Sequence, residues 1–389
     1  MISGTNVVIC VRGCWGLSAV ERTCLTIARP DERLGWLLTN GVTMNPKQRS
    51  VRASWTAYVA AGALLLASAC GGDSAEPTTP VGVTEMSARA ASYIEEYIGL
   101  MQRHVHSTHR VDWTQVRARA RAAAAGAQSL DDARVGIQEA LLAIGEWHSF
   151  YTGPNGVTFS VPSVPCGAAS SWLPLQPPSD VGYVRIREFS GGVVESIAYA
   201  DSVHRMIARA DKPDLSGWVV DLRGNRGGNM YPMFVGIGAL MGPGRYIDFI
   251  DADGGRIPVS YRNGGVFYGA EELVRIERPY HVRDHNIPIA VIVDGLVASS
   301  GEATALAFRG RPRTRLFGTP TCGMASGNIT LFMSDGARVV ITRSLIHDRM
   351  STGDGGPIQP DVRAETGDEA IAQAVWWLRS QHSATERED

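Results

Sequence analysis

Two short apolar runs, Trp218–Leu222 and Ile287–Val293, each lead through a tight turn into a helical pattern. Both are strand-sized, and both lack the alternation of a half-exposed strand, so each has to be covered on two faces. The first run enters Arg223-Gly-Asn-Arg-Gly-Gly-Asn229 and then a helix predicted over 230–241. The second enters Asp294–Ser300 and then a helix predicted over 301–308. Repeated strand–turn–helix units of this kind predict an α/β domain with a parallel or mixed sheet. The alternating segment Val181-Gly-Tyr-Val-Arg-Ile-Arg187 supplies a further strand, 197–210 a helix, and 368–381 a closing helix.

Upstream, the pattern is helical from 85 to about 147. Tyr93, Ile94, Tyr97, Ile98 and Met101 recur at three- and four-residue spacing, and Asp131 and Asp132 open a helix whose apolar face carries Val135, Ile137, Ala140, Leu141 and Ile144. The first seventy residues read differently. Met44 to Arg52 is basic, Ala53 to Ala69 is a run of small and apolar residues, and Cys70 follows with Gly71-Gly-Asp-Ser74. This layout resembles a bacterial lipoprotein signal, in which the cysteine is lipidated, although Ala67 stands where Leu is usual. A short transmembrane anchor is the competing reading. The expected organisation is 1–43 as an extension outside the fold, with translation starting at Met44; 44–69 as signal peptide; and 70–84 as flexible tether. A helical subdomain at 85–150, a loop-rich connector at 151–180, a core at 181–382 and a tail at 383–389 follow. The expected location is outside the cytoplasm, membrane-anchored through Cys70.

Charge narrows the function. The chain carries 37 basic and 39 acidic residues, which argues against a nucleic-acid partner. Of the basic residues, only Lys47 and Lys212 are lysines, so chemistry that needs a lysine has two positions to choose from. Cys166 and Cys322 have the opportunity to pair in an oxidising compartment, but the sequence leaves their separation open.

Three segments offer chemistry. In Asp294-Gly-Leu-Val-Ala-Ser-Ser-Gly-Glu302, a serine stands between a buried strand and a helix start, where free N–H groups and the helix dipole favour a developing oxyanion. The plain alternative is a serine helix cap with Glu302 in the first turn. The G-x-S-x-G elbow does not fit, because Val297 stands at its first glycine. The turn around Gly227 and Gly228 suits an oxyanion hole better than a dinucleotide site, whose G-x-G-x-x-G spacing is absent; an ordinary tight turn is equally compatible. His148, in Gly145-Glu-Trp-His-Ser149, is by itself more readily a structural histidine than a base. His104, His106 and His109 read as a solvated helix end, and no metal or cofactor is expected.

Taken together, these segments resemble the tail-specific or C-terminal processing serine peptidases, a family that includes the tricorn protease core. The resemblance covers about 86–380. It rests on Val111-Asp-Trp113, the His148 segment, Gly182-Tyr-Val-Arg-Ile186, Asp221-Leu-Arg-Gly-Asn-Arg-Gly-Gly228, Ser299-Ser-Gly-Glu302, Phe317-Gly-Thr-Pro-Thr321 and Ile358-Gln-Pro-Asp361, in that order. It implies an α/β, crotonase/ClpP-like core of ββα units. One branch of the family pairs the serine with a lysine, whose place here is taken by Met324. The other, tricorn-like branch uses a histidine from the helical lead-in and a carboxylate near the C-terminus. That branch implies Ser299 as nucleophile with Ser300 as competitor, His148 as base and Asp354 as its support, with Asp where the family usually has Glu. It also implies N–H groups of Ser300 and of Gly227 or Gly228 as the oxyanion hole. Trp147 replaces a small residue, and the connector is too short for the family's PDZ domain. The expected function is a serine endopeptidase acting on peptides or unfolded proteins of the cell envelope. The alternatives are an inactive peptide-binding lipoprotein of the same fold and, against the export signal, an acyl-CoA enzyme. Oligomeric state is left open.

Overall fold

The computed structural model describes residues 85–162, 166–167 and 178–385. The segments read as signal peptide and tether, with Cys70, lie outside the described residues. Three helices lead: α1 (Ala88–His104), α2 (Trp113–Ala123) and α3 (Leu130–Ile144). Their starts are written in the sequence. Ser87 accepts from the Ala90 N–H, Asp112 from the N–H groups of Thr114 and Gln115, and Ser129 forms a capping box with Asp132. Gly145 ends α3 in the left-handed conformation, which turns the chain toward His148.

The order then runs β1 (Phe150–Thr152), β2 (Thr158–Ser160), β3 (Val181–Arg185), α4 (Val193–Ala210), β4 (Gly217–Asp221) and α5 (Met230–Met241). Next come β5 (Gly244–Asp251), β6 (Arg256–Arg262), β7 (Gly265–Tyr268), β8 (Glu271–Arg275), β9 (Ile289–Val293) and α6 (Ser300–Phe308). The chain closes with β10 (Thr314–Gly318), β11 (Ser326–Phe332), β12 (Arg338–His347), β13 (Val362–Arg363) and α7 (Gly367–Thr385).

Among the described residues there are two sheets. One is five-stranded and wholly parallel, in the order β13-β10-β9-β4-β3. Its central strands β4 and β9 are buried along their whole length, as their continuous apolar runs require. Successive side chains serve opposite faces: Val220 and Val291 pack with α4, α5 and α6, whereas Val219, Ala290 and Ile292 pack with Ala374, Trp377 and Leu378 of α7. The other sheet has eight strands; β2-β1-β12-β5-β6-β7-β8 form its path, and β11 adds to β12. Strands β5–β8 have no counterpart in the sequence reading. α1–α3 build a separate core with Tyr151, Val339 and Ile341. The chain is thus a mixed α/β protein with helices covering both sheets.

A disulfide joins Cys166 to Cys322, with Cα atoms 4.6 Å apart. This closes the question that the sequence left open. It fixes one point of the connector to the loop that follows β10.

Candidate active site

β4, β9 and β10 are neighbours in the parallel sheet, so the loops leaving their C-terminal ends converge. Such ends are where open α/β sheets hold ligands. The three loops are 222–229, 294–299 and 319–325, and they are stitched together. The Asp294 carboxylate accepts the N–H groups of Gly224 and Leu296, each at 3.0 Å. Ala298 N–H donates to Asn225 O at 3.0 Å, and Cys322 N–H to Val297 O at 2.9 Å.

Ser299 is the N-cap of α6, with φ 52° and ψ −117°. The caps of α1, α2 and α3 are all in the extended region. A non-glycine residue in this part of conformational space costs on the order of 1–3 kcal/mol, so the surrounding loops must enforce it. Glu302 does part of that. It is fully buried, and its carboxylate accepts from Ser299 N–H at 2.9 Å, Thr321 Oγ1 at 2.5 Å, Gly323 N–H at 2.7 Å and Met324 N–H at 2.7 Å. Burial lifts its pKa to about 7, against those four donors, which favour the charged form. Glu302 therefore completes a capping box and also binds the 321–324 loop, so the cap reading and the strained-turn reading describe one residue pair.

The two serines are not equivalent. Ser300 is buried, and its hydroxyl donates to Gly228 O at 2.5 Å. Ser299 is half-buried, and its hydroxyl bonds to no other side chain among the described residues. The glycine turn lies directly against it. A Cβ on Gly227, at φ 104°, would sit 2.9 Å from Ser299 Cβ and from Ser300 N. Gly227 N–H is already spent on Asn225 Oδ1 at 3.0 Å. Among the described residues no acceptor takes the N–H groups of Gly228 and Ser300. Both residues line a cavity of about 220 Å³ together with Ser299, Asn229, Ser326 and Asn328.

His148 and Asp354 lie in an adjoining cavity of about 570 Å³, with Glu146, Trp147, Met324 and Ser326. His148 is half-buried, and burial pushes its imidazole down to about 4, so the ring is neutral over the ordinary pH range. Its Nδ1 is 2.7 Å from Ser326 Oγ. Among the described residues no hydrogen bond joins His148 to Ser299 or to Asp354. The Asp354 carboxylate is exposed and accepts the Gly356 N–H of its own turn at 2.9 Å. Ser326, absent from the sequence reading, is the residue that walls both cavities.

Lys212 is exposed in the segment before β4, at the strand end remote from these loops. Met324, in the lysine place, gives its N–H to Glu302. His104 lies 3.1 Å from Arg343 and His109 3.0 Å from Asp253. Among the described residues no group of three or more potential ligands could hold a metal.

Residues 180–364, somewhat under half of the chain, match the family model described as peptidase family S41. The nisin-resistance protein of Lactococcus lactis subsp. lactis is 32% identical over 197 residues, which are 50% of this chain and 59% of that relative. The carboxy-terminal processing protease of Bacillus subtilis (strain 168) is 26% identical over 197 residues, 49% of this chain and 36% of that relative. The chain thus spans less than two thirds of the length of these curated relatives. A lipoprotein from Streptococcus agalactiae is 21% identical with a TM-score of 0.56, covering 75% of this chain and 96% of that one. The photosystem II D1 C-terminal processing protease is 14% identical with a TM-score of 0.51, covering 74% and 98%. At these identities the two structures share the fold.

Proposed function

We propose, with the support that these matches give to peptidase family S41 as premise, that the chain is a serine endopeptidase. Ser299 is its nucleophile, His148 its general base and, later, its general acid. The single observation that carries this reading is the strained backbone of Ser299 at a strand-to-helix turn. Strain that the fold enforces at this half-buried hydroxyl, beside two N–H groups without acceptors among the described residues, points to a function beyond that of a cap. The N–H groups of Gly228 and Ser300 hold the oxyanion; Gly227 shapes the turn. Asp354 faces the same cavity as His148, where it would support the imidazole through an intervening group rather than by direct contact. The core is read as crotonase/ClpP-like, with a helical subdomain at 85–150, a connector at 151–180 that holds no PDZ domain, and a core at 181–382. The substrates are peptides or unfolded segments outside the cytoplasm, reached from a lipid anchor at Cys70. The names of two similar proteins, a lipoprotein and a nisin-resistance protein, favour the cell envelope and make nisin the first peptide to offer.

One observation favours the second reading, an inactive peptide binder: the imidazole of His148 is bonded to Ser326 and not to Ser299. A fluorophosphonate probe separates the two. The wild type is expected to be labelled at Ser299, as seen by peptide mapping; absence of labelling would leave binding alone.

The base also sets a pH signature. His148 is neutral, and thus competent, above about pH 4. The free-enzyme profile of kcat/KM is therefore expected to hold down to about pH 5 and to fall through about 4, rather than near the ordinary histidine value of about 6.5. The linkage has the same sign. The unfolded histidine binds its proton first, so stability from this group is full above about 6.5 and is lost as pH falls toward 4. Glu302→Gln is the control for any inflection near 7, where Glu302 titrates. An acid limb at 6.5 that survives this control would contradict the assignment of His148.

A further inference from the structure

We propose that Ser326 relays the proton between Ser299 and His148. This rests on the peptidase reading above and deepens it. The observation behind it is a division of space. Ser299 and the two free N–H groups line one cavity, His148 and Asp354 line the other, and Ser326 lines both. Its hydroxyl is 2.7 Å from His148 Nδ1, the ring nitrogen that a supporting carboxylate would otherwise take. Among the described residues no carboxylate bonds to it: Asp354 accepts from Gly356, and Glu146, in the same cavity, accepts from Ser107.

Ser326 is also held in place. It is 8% exposed, starts β11 opposite Leu345 of β12, and gives its N–H to Met324 O at 2.7 Å. Two residues along the same strand, Asn328 Nδ2 donates to His148 O at 3.2 Å, which fixes the backbone of the base to the strand that carries the relay. In the other direction the chain runs into Met324 and Gly323, both bound by Glu302, whose carboxylate also holds Ser299 N–H. One short segment therefore connects nucleophile, relay and base.

The step balances as follows. Ser299 Oγ bonds to the scissile carbonyl carbon, and the carbonyl π pair moves to its oxygen, which the N–H groups of Gly228 and Ser300 receive. Among the described residues no hydrogen bond joins the hydroxyls of Ser299 and Ser326; once bound substrate draws them within reach, the Ser299 proton passes to Ser326 Oγ while the Ser326 proton passes to His148 Nδ1. On collapse the proton returns through Ser326 to the departing nitrogen, the C–N bond breaks, and an acyl-enzyme remains; water then repeats the sequence in Ser299's place. The relay requires His148 as the Nε2–H tautomer, with Nδ1 accepting.

The test combines kinetics and ¹⁵N NMR on the full chain with its disulfide intact. The NMR of wild-type His148 is expected to show the Nε2–H tautomer. Ser326→Ala is expected to lower kcat by about 10²–10⁴-fold with KM within about threefold, the signature of lost proton transfer. Ser326→Thr, which keeps the hydroxyl, is expected to recover most of that loss. A Nδ1–H tautomer in the wild type overturns the relay without any activity measurement, and remains readable even if Ser326→Ala fails to fold. Hydrolysis that Ser299→Ala abolishes and Ser326→Ala leaves unchanged overturns the relay alone. A wild type with neither hydrolysis nor probe labelling overturns the peptidase reading, and the relay with it.

Discussion

Ser299→Ala is expected to lower kcat for peptide hydrolysis by about 10⁶-fold, the scale on which loss of a serine nucleophile acts when nucleophile and base work as a unit. The oxyanion donors survive in this variant, so a residual acceleration of about 10³–10⁴ over water is expected to remain. The fold should be retained, because the variant gives up only the Ser299 half of the capping box, about 1 kcal/mol, and opens no core cavity. Alanine keeps the unfavourable backbone angles, whereas Ser299→Gly relieves them. The glycine variant is thus expected to be inactive yet more stable than wild type, by on the order of 1 kcal/mol. That combination identifies strain kept for function. Ser300→Ala makes the contrast: it loses the bond to Gly228 O and shifts the turn, but leaves a nucleophile. Full activity in Ser299→Ala with none in Ser300→Ala would reverse the assignment.

The second large effect concerns the disulfide. Cys166 and Cys322 are 156 residues apart. A cross-link over a loop of that length constrains the unfolded chain by about 5 kcal/mol in the loop-entropy picture, of which native proteins commonly show about 2–5. Cys166→Ser, or reduction, is expected to lower the urea midpoint accordingly, with a steeper slope, because the unfolded chain without the cross-link is more expanded. Activity should fall as well, and by a separate route. Cys322 stands between Thr321 and Gly323, two of the partners of Glu302, and gives its own N–H to Val297 beside the nucleophile turn. Loosening it loosens the clamp on Ser299. A variant that loses stability but keeps kcat at temperatures where it is still folded would show that the disulfide acts on the connector only.

How much of this is legible in the sequence depends on whether the signal is local. The parallel core is legible because β4 and β9 are apolar on both faces, a pattern that only a doubly covered strand needs. Met230–Met241 is legible because a glycine turn and Asn229 punctuate its start. Strands β5–β8 are not. Arg256-Ile-Pro-Val-Ser-Tyr-Arg262 carries charges at both ends and a proline, and only Val259 and Tyr261 are buried. Their partners across the sheet, not their composition, make them strands. The same holds at the site. Ser299, His148, Gly228 and Ser300 stand in recognisable segments. Ser326 sits in no recognisable segment, and its only mark is a hydrogen bond to a residue 178 positions away. The resemblance implies Asp354 as the support of His148, and the two residues line one cavity; what no spacing reveals is that the Asp354 carboxylate closes its own turn.

Strand β12 gives the arrangement a mechanical meaning. Val339 and Ile341 lie in the core built by the helices that lead to His148, whereas Ile346 lies in the core that carries the Ser299 turn. One ten-residue rod is thus rooted at each end in a different apolar mass. The gap between acid–base group and nucleophile is then a structural dimension of the whole molecule, gauged by a stiff beam, and not the play of a surface loop. Heat or a core substitution that lets one mass slip against the other should silence turnover before either mass melts.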